Sequence, residues 1–93
     1  MFTAKQKRLE ILLKQARIDA GLTQKELAQR LETSHTRVSD YERGQRRMDL
    51  VELDFYCEAL GISLQDFVRR YREGNEESDA SEQKREDGEG SIP

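Results

Sequence analysis

One helix-start signature, which occurs three times, constrains the fold of this chain more than any other feature. In each copy a Thr, Asp or Ser stands three positions before a Glu or Asp, so that each side chain can accept a hydrogen bond from the other residue's backbone N–H. The three copies are Thr23-x-x-Glu26, Asp49-x-x-Glu52 and Ser63-x-x-Asp66. Glycines at positions 21, 44 and 61 follow the predicted helices as stop signals. Because no stretch alternates polar and apolar residues with period two, the sequence predicts an all-α domain.

These starts and stops divide residues 5–72 into five short helices. The first helix spans Lys5 to Ala20 and carries Leu and Ala residues along one side. The fifth, SLQDFVRRYRE, has large apolar residues at i, i+3, i+4 and i+7. The inner stripe of the fourth helix is predicted to consist of Leu50, Leu53, Cys57 and Leu60. We therefore expect a compact five-helix bundle.

Charge divides the chain into two parts. Residues 1–72 contain 14 Lys or Arg and 11 Asp or Glu, a net charge of +3, whereas residues 73–93 contain 2 and 8, a net charge of −6. In the second part Ile92 is the one apolar residue larger than alanine, so this part cannot bury enough surface to offset the entropy of ordering. The sequence predicts a mildly basic folded domain over residues 1–72 and a disordered acidic tail over residues 73–93.

The composition argues against several classes of protein. The single cysteine, Cys57, rules out an internal disulfide, and together with one histidine it gives no zinc-ligand set. We find no nucleophile–base pair and no glycine loop for phosphates, and so expect neither an enzyme nor a cofactor. The segment MFTAKQKRLE lacks the apolar stretch of a signal peptide, and no run is long enough to span a membrane. We expect a soluble protein of the cytoplasm.

The segment QKELAQRLETSHTRVSDYER, residues 24–43, predicts two short helices that cross steeply. The turn at residues 32–34 is too short for two helices of about two turns each to pack side by side. With Val38 and Tyr41 facing inward, the opposite side of the second helix of this pair is polar and protrudes. A protruding polar helix with arginine at its end fits the width of the DNA major groove.

The strings AGLTQKELAQRL, RVSDYERG and ALGISLQDF resemble the phage repressor and Cro type of helix-turn-helix domain, also called the xenobiotic-response-element (XRE) family. The resemblance covers about residues 9–68, most of the predicted domain. It implies a lambda-repressor-like five-helix bundle that binds double-stranded operator DNA, usually as a dimer.

The resemblance also implies roles for individual residues. Gln24 is expected to contact a phosphate at the amino end of its helix, where the helix dipole favours an anion. Three residues of the next helix are expected to be base readers, namely His35, Thr36 and Asp40. Further DNA contacts are expected beside the readers, from Ser34, Arg37 and Ser39, and at phosphates, from Arg43, Arg46 and Arg47.

One pair of residues matches the family pattern in a structural role, and two residues differ from that pattern. Arg17 and Glu42 match positions that form an ion pair between the first and third helices in relatives. Glu32 stands at a turn position that is typically a left-handed glycine, where another residue costs about 1–2 kcal/mol. Asp40 stands where many relatives have a neutral or basic side chain. It either accepts a hydrogen bond from cytosine N4 or braces the arginine three residues before or after it, Arg37 or Arg43.

Surplus apolar residues predict self-association. The candidate dimer residues are Phe55 on the fourth helix and, on the fifth helix, Leu64, Phe67, Val68 and Tyr71. A two-fold dimer would place two reading helices about one DNA turn apart and predicts a near-palindromic operator.

Two functions follow as hypotheses. The first is a nucleoid-associated transcriptional regulator that acts as a repressor. The alternative is a protein-interaction module of the antitoxin or antirepressor type, whose main partner is another protein. The acidic tail is interpreted as a solubilising segment, as a partner-binding segment, or as a competitor of DNA for the basic face.

Overall fold

A computed structural model of the protein describes residues 3–74, which form five helices and no strand. The helices are α1 (Thr3–Asp19), α2 (Gln24–Leu31), α3 (His35–Arg43), α4 (Leu50–Leu60) and α5 (residues 64–74). The predicted all-α five-helix bundle is confirmed. Helix α5 runs two residues past the predicted domain boundary at residue 72, and the rest of the predicted tail, residues 75–93, lies outside the described residues. Within residues 3–74 no helix is long and apolar enough to cross a membrane.

Two of the three predicted capping boxes form completely, and the third forms in part. At α2 the Thr23 hydroxyl accepts from the Glu26 N–H at 3.0 Å, and the Glu26 carboxylate accepts from the Thr23 N–H at 2.9 Å. The same reciprocal pair opens α4, at 2.8 and 2.9 Å. At α5 only half of the box forms among the described residues. The Ser63 hydroxyl accepts from the Asp66 N–H at 2.9 Å, while the Asp66 carboxylate pairs with Arg69.

The helix ends depend on left-handed residues, as expected. Glu32 ends α2 with φ 56° and ψ 45°, and its N–H donates to the carbonyl of Gln29 at 3.2 Å. Gly44 ends α3 with φ 80°, and here a second constraint applies. A Cβ at Gly44 would lie 2.5 Å from the nearer carboxylate oxygen of Glu10, a buried residue of α1. The left-handed backbone angle therefore favours glycine at position 44, and a Cβ there would also displace the Glu10 carboxylate.

All five helices contribute to one core. Its buried residues are Leu12, Leu13, Ala16, Leu27, Ala28, Val38, Tyr41, Tyr56, Cys57, Leu60 and Phe67. The rings of Tyr41 and Tyr56 meet edge to face, with centroids 6.0 Å apart and an interplanar angle of 83°. These two aromatic residues join α3 to α4 directly behind the predicted reading helix.

Two sequence predictions about this core are wrong. Phe67 is 1% exposed, so it is not available as a dimer contact; a bundle this small needs the large ring of its last helix to close the core. Leu50 is 66% exposed and does not belong to the inner stripe of α4. It lies in the first turn of the helix, and Tyr56 takes the buried place between Leu53 and Leu60 instead.

Candidate nucleic-acid interface

A buried ion pair fixes α3 on the bundle. Arg17 Nε lies 2.7 Å from Glu42 Oε2, and Arg17 Nη2 donates to the other carboxylate oxygen at 3.2 Å. The two side chains are 11% and 2% exposed. Arg17 Nη1 also donates to the Leu22 carbonyl at 2.8 Å. The pair expected from the sequence therefore links α1, the α1–α2 loop and α3 through charge-assisted hydrogen bonds.

The same carboxylate connects to the predicted phosphate contact at the start of α2. Gln24 Nε2 donates to Glu42 Oε1 at 2.9 Å, and Gln24 Oε1 lies 2.9 Å from His35 Nε2. Tyr56 lies close to the same carboxylate. Burial and the neighbouring Glu42 carboxylate raise the pKa of Tyr56 well above its usual range, so the phenol stays neutral. The amino ends of α2 and α3 are thus held together by side chains from both helices.

The outward side of α3 is polar and continues to its last turn. Ser34 caps the helix by accepting from the Arg37 N–H at 3.1 Å, and His35 and Thr36 follow it as exposed residues. At the other end, Arg43 Nη2 lies 2.6 Å from Asp40 Oδ1, and Arg43 Nε donates to the Ser39 hydroxyl at 3.0 Å. Of the two roles expected for Asp40, the brace to Arg43 is present in the structure.

Cationic side chains surround the end of α3. A groove of about 470 Å³ is lined on one side by Arg43 and Arg47 and on the other by α1 residues that include Lys7. We define the cationic strip as Lys5, Lys7, Arg43, Arg46 and Arg47. Among the residues that the structure describes, none forms an ion pair with Lys5, Arg46 or Arg47. These three charges are therefore available to an anionic ligand.

Sequence reasoning missed the part of this strip that comes from α1. The signal was present in the run KQKR at residues 5–8, but the sequence does not show that α1 packs with Lys7 and Lys5 beside Arg47. Arg37, in contrast, lies apart from the strip. It is half-buried and lines a cleft of about 250 Å³ together with Thr33 and Phe55.

Apolar residues are exposed on α4. Leu50, Val51 and Phe55 are 66%, 63% and 60% exposed. We call these three residues the α4 patch. The predicted dimer residue Val68 is 40% exposed on α5, whereas Leu64 and Tyr71 are partly buried against the core. Leu50 and Val51 were not among the residues that the sequence suggested for self-association.

Comparison with known proteins gives consistent results. The helix-turn-helix family model matches residues 13–67, more than half of the chain. Comparison with the curated proteins gives no match. Among solved structures, an XRE-family like protein from Pseudomonas syringae pv. tomato is 36% identical, with a TM-score of 0.71 over 75% of this chain and 85% of that one.

Two further solved structures are similar. The clp gene regulator ClgR from Corynebacterium glutamicum is 29% identical, with a TM-score of 0.71 over 84% of this chain and 83% of that one. The restriction-modification controller protein C.Esp1396I, 23% identical with a TM-score of 0.69 over 74% and 90% of the two chains, shares the fold. The chain therefore belongs to the XRE, or phage repressor and Cro-type, family of helix-turn-helix DNA-binding transcription regulators.

Proposed function

We propose that this protein is a transcriptional repressor of the cytoplasm and nucleoid that binds a near-palindromic operator as a homodimer. The observation that carries the proposal is the placement of α3. Its exposed side carries His35 and Thr36, its inner side is fixed by Glu42, and Arg46 and Arg47, which form no ion pair within residues 3–74, follow its end. An exposed polar helix beside free cations is the arrangement that lets phosphate contacts set the register while base contacts select the sequence.

Different residues are proposed for the base contacts and for the phosphate contacts. The side chains proposed to face base edges are His35, Thr36 and Ser39, with Ser34 and Arg37 beside them. Asp40 acts chiefly through Arg43, which it holds at 2.6 Å. Gln24 is tied to both Glu42 and His35, so its contact with a phosphate also fixes the position of the first reader. The cationic strip supplies most of the affinity, because each neutralised phosphate releases condensed counterions.

The salt dependence of binding tests the phosphate contacts. We expect Arg46→Ala to weaken binding to all duplexes and to reduce the slope of log affinity against log salt by about one. The matched control is Arg69→Ala, which removes an arginine that pairs with Asp66 on α5 and is not among the residues that line the groove between α1 and the end of α3. Fluorescence anisotropy with a labelled duplex measures both slopes. If Arg46→Ala behaves like Arg69→Ala, the phosphate role of this residue is wrong.

The homodimer is a separate part of the proposal. The α4 patch and Val68 support it, because exposed apolar side chains grouped on one helix are typical of interfaces. We expect Phe55→Ser to shift the sedimentation coefficient towards that of a monomer. Ile18→Ser, which changes a 48% exposed side chain on α1, should leave the coefficient unchanged. A native chain that sediments as a monomer at the concentrations that bind DNA would remove the dimer from the proposal.

A protein-interaction module remains the second candidate, and the α4 patch is the observation that favours it. A partner that covers Leu50, Val51 and Phe55 would bury apolar side chains that the bundle itself leaves in water. If this is the main function, substitutions in the α4 patch should abolish binding of the partner protein, whereas Arg46→Ala should not. Proteins of this regulator family are generally not enzymes, and we propose no reaction for this chain.

A further inference from the structure

The chain leaves the described domain beside the cationic strip. Tyr71, in the last turns of α5, lines a small cavity of about 220 Å³ together with Lys5 and Arg47. One turn later, Gly74 packs so closely on the Arg8 guanidinium that a Cβ at this position would overlap it. Cations of α1 are also favourable here because the carboxyl end of α5 carries partial negative charge. Gly74, the last residue that the structure describes, therefore lies beside Arg8 of α1, and the turn of α5 before it lies beside Lys5 and Arg47 of the cationic strip.

The sequence that continues from this point has the opposite charge. Residues 75–93 contain seven acidic residues and two basic ones, a net charge of −5. The acidic residues are Glu76, Glu77, Asp79, Glu82, Glu86, Asp87 and Glu89. These closely spaced carboxylates form a row of negative charges, as the phosphates of a DNA strand do, although the two chains differ in shape.

We propose that residues 75–93 bind the cationic strip of their own chain and compete there with DNA phosphates. This inference rests on the proposed function, because the strip must be the DNA-binding surface. Nineteen residues reach at most about 60 Å, several times the length of α3, which is about 13 Å. A covalently attached competitor acts at an effective concentration of about millimolar, so weak individual ion pairs are enough to occupy the strip.

The competition changes the salt dependence of DNA binding as well as its strength. DNA has to displace carboxylates that already neutralise Arg46, Arg47 and Lys5, so fewer counterions are released when a phosphate arrives. The native chain therefore binds DNA more weakly, and with a shallower salt slope, than a chain whose segment is uncharged. The α4 patch is not involved, so self-association is unaffected.

The experiment uses full-length chains throughout. In the neutral variant, the seven carboxylates of residues 75–93 are changed to amides, Glu→Gln and Asp→Asn. In the control variant, the order of residues 75–93 is shuffled without changing their composition. At near-physiological salt we expect the neutral variant to bind a mixed-sequence duplex about tenfold more tightly than the native chain, with a steeper salt slope. The shuffled variant should match the native chain, because charge and tethering, not sequence, carry the effect.

Spectra recorded without DNA separate this inference from the proposed function. We expect the backbone amide resonances of Lys7 and of residues 43–47 to differ between the native and neutral chains at low salt and to converge at high salt. This readout also controls for net charge, which by itself would alter attraction to DNA. Identical spectra at low salt, equal DNA affinities, or a shuffled variant that binds DNA as the neutral one does would each overturn the inference. If no chain binds DNA but the spectra differ as expected, the proposed function fails and the cis contact stands.

Discussion

The ion pair between Arg17 and Glu42 makes a sharp prediction about stability. The change is Glu42→Gln, which keeps the size of the side chain and removes its charge. It leaves Arg17 charged and only 11% exposed, with neutral oxygens, the Leu22 carbonyl and the new amide, in place of a carboxylate. Removal of one partner of a buried pair costs about 3–5 kcal/mol. Because Arg17 keeps the contact with Leu22, we expect the lower end, about 3 kcal/mol.

This loss is large for a domain of this size. At about 4–8 °C per kcal/mol, it corresponds to a decrease in Tm on the order of 12–24 °C. Urea unfolding followed by circular dichroism measures the change in the free energy of unfolding. The matched control is Asp40→Asn, which breaks the exposed pair with Arg43; those side chains are 29% and 59% exposed, so we expect less than about 1 kcal/mol.

A double-mutant cycle separates pairing from other effects of the substitution. The combination of Arg17→Met with Glu42→Leu removes both charges, and replacing a buried pair by apolar side chains is often close to neutral. We therefore expect the double variant to be more stable than either corresponding single variant. The reasoning is refuted if Glu42→Gln costs no more than Asp40→Asn, or if the losses of the two single variants simply add.

Three further predictions concern helix ends and the buried thiol. Glu32→Gly should raise the free energy of unfolding by about 0.5–1 kcal/mol. Glycine removes the strain of a side chain at a left-handed backbone angle, but it also increases the entropy of the unfolded chain, which offsets part of the gain. An unchanged urea midpoint would contradict this. Gly44→Ala and Gly61→Ala should each destabilise by about 1–2 kcal/mol, because an alanine Cβ is strained at the positive φ of both positions; a urea midpoint that either substitution leaves unchanged would contradict this. Burial raises the pKa of Cys57 from 9.0 to about 11, with a smaller contribution from a nearby aspartate, so the thiol contribution to stability is full below pH 9.0 and is lost as the pH rises towards 11. Alkylation of the native chain by iodoacetamide at neutral pH should be far slower than that of the urea-unfolded chain, and equal rates would show that Cys57 is not buried.

Local signals in the sequence were sufficient to predict the helices. Cap hydrogen bonds join residues three positions apart, so Thr23 and Glu26 predict a helix start without any knowledge of the rest of the chain. The left-handed angle at Glu32 was expected from the XRE resemblance, because this turn position is typically glycine in the family. The XRE resemblance added the pairing of Arg17 with Glu42, which lie too far apart in sequence for any local rule.

The surface was harder to predict because it depends on how the helices meet. The fourth helix offers two apolar sides, and periodicity alone did not decide between Leu50 and Tyr56 for the core. Lys7 joins the strip through the packing of α1 beside the end of α3, which no local pattern predicts. The side chain of Gln24 had one expected partner, a phosphate, and in the structure it has two protein partners.

The central claim is that α3 selects the DNA sequence while the cationic strip holds the backbone. The most direct test is selection of bound duplexes from a random library by the native chain, by Thr36→Ala and by Arg46→Ala. We expect a near-palindromic motif for the native chain, a motif relaxed at one or two symmetric positions for Thr36→Ala, and an unchanged motif recovered with lower affinity for Arg46→Ala. A motif that Thr36→Ala leaves intact would contradict the role of α3, and the absence of any enriched motif with the native chain would contradict sequence-specific binding altogether.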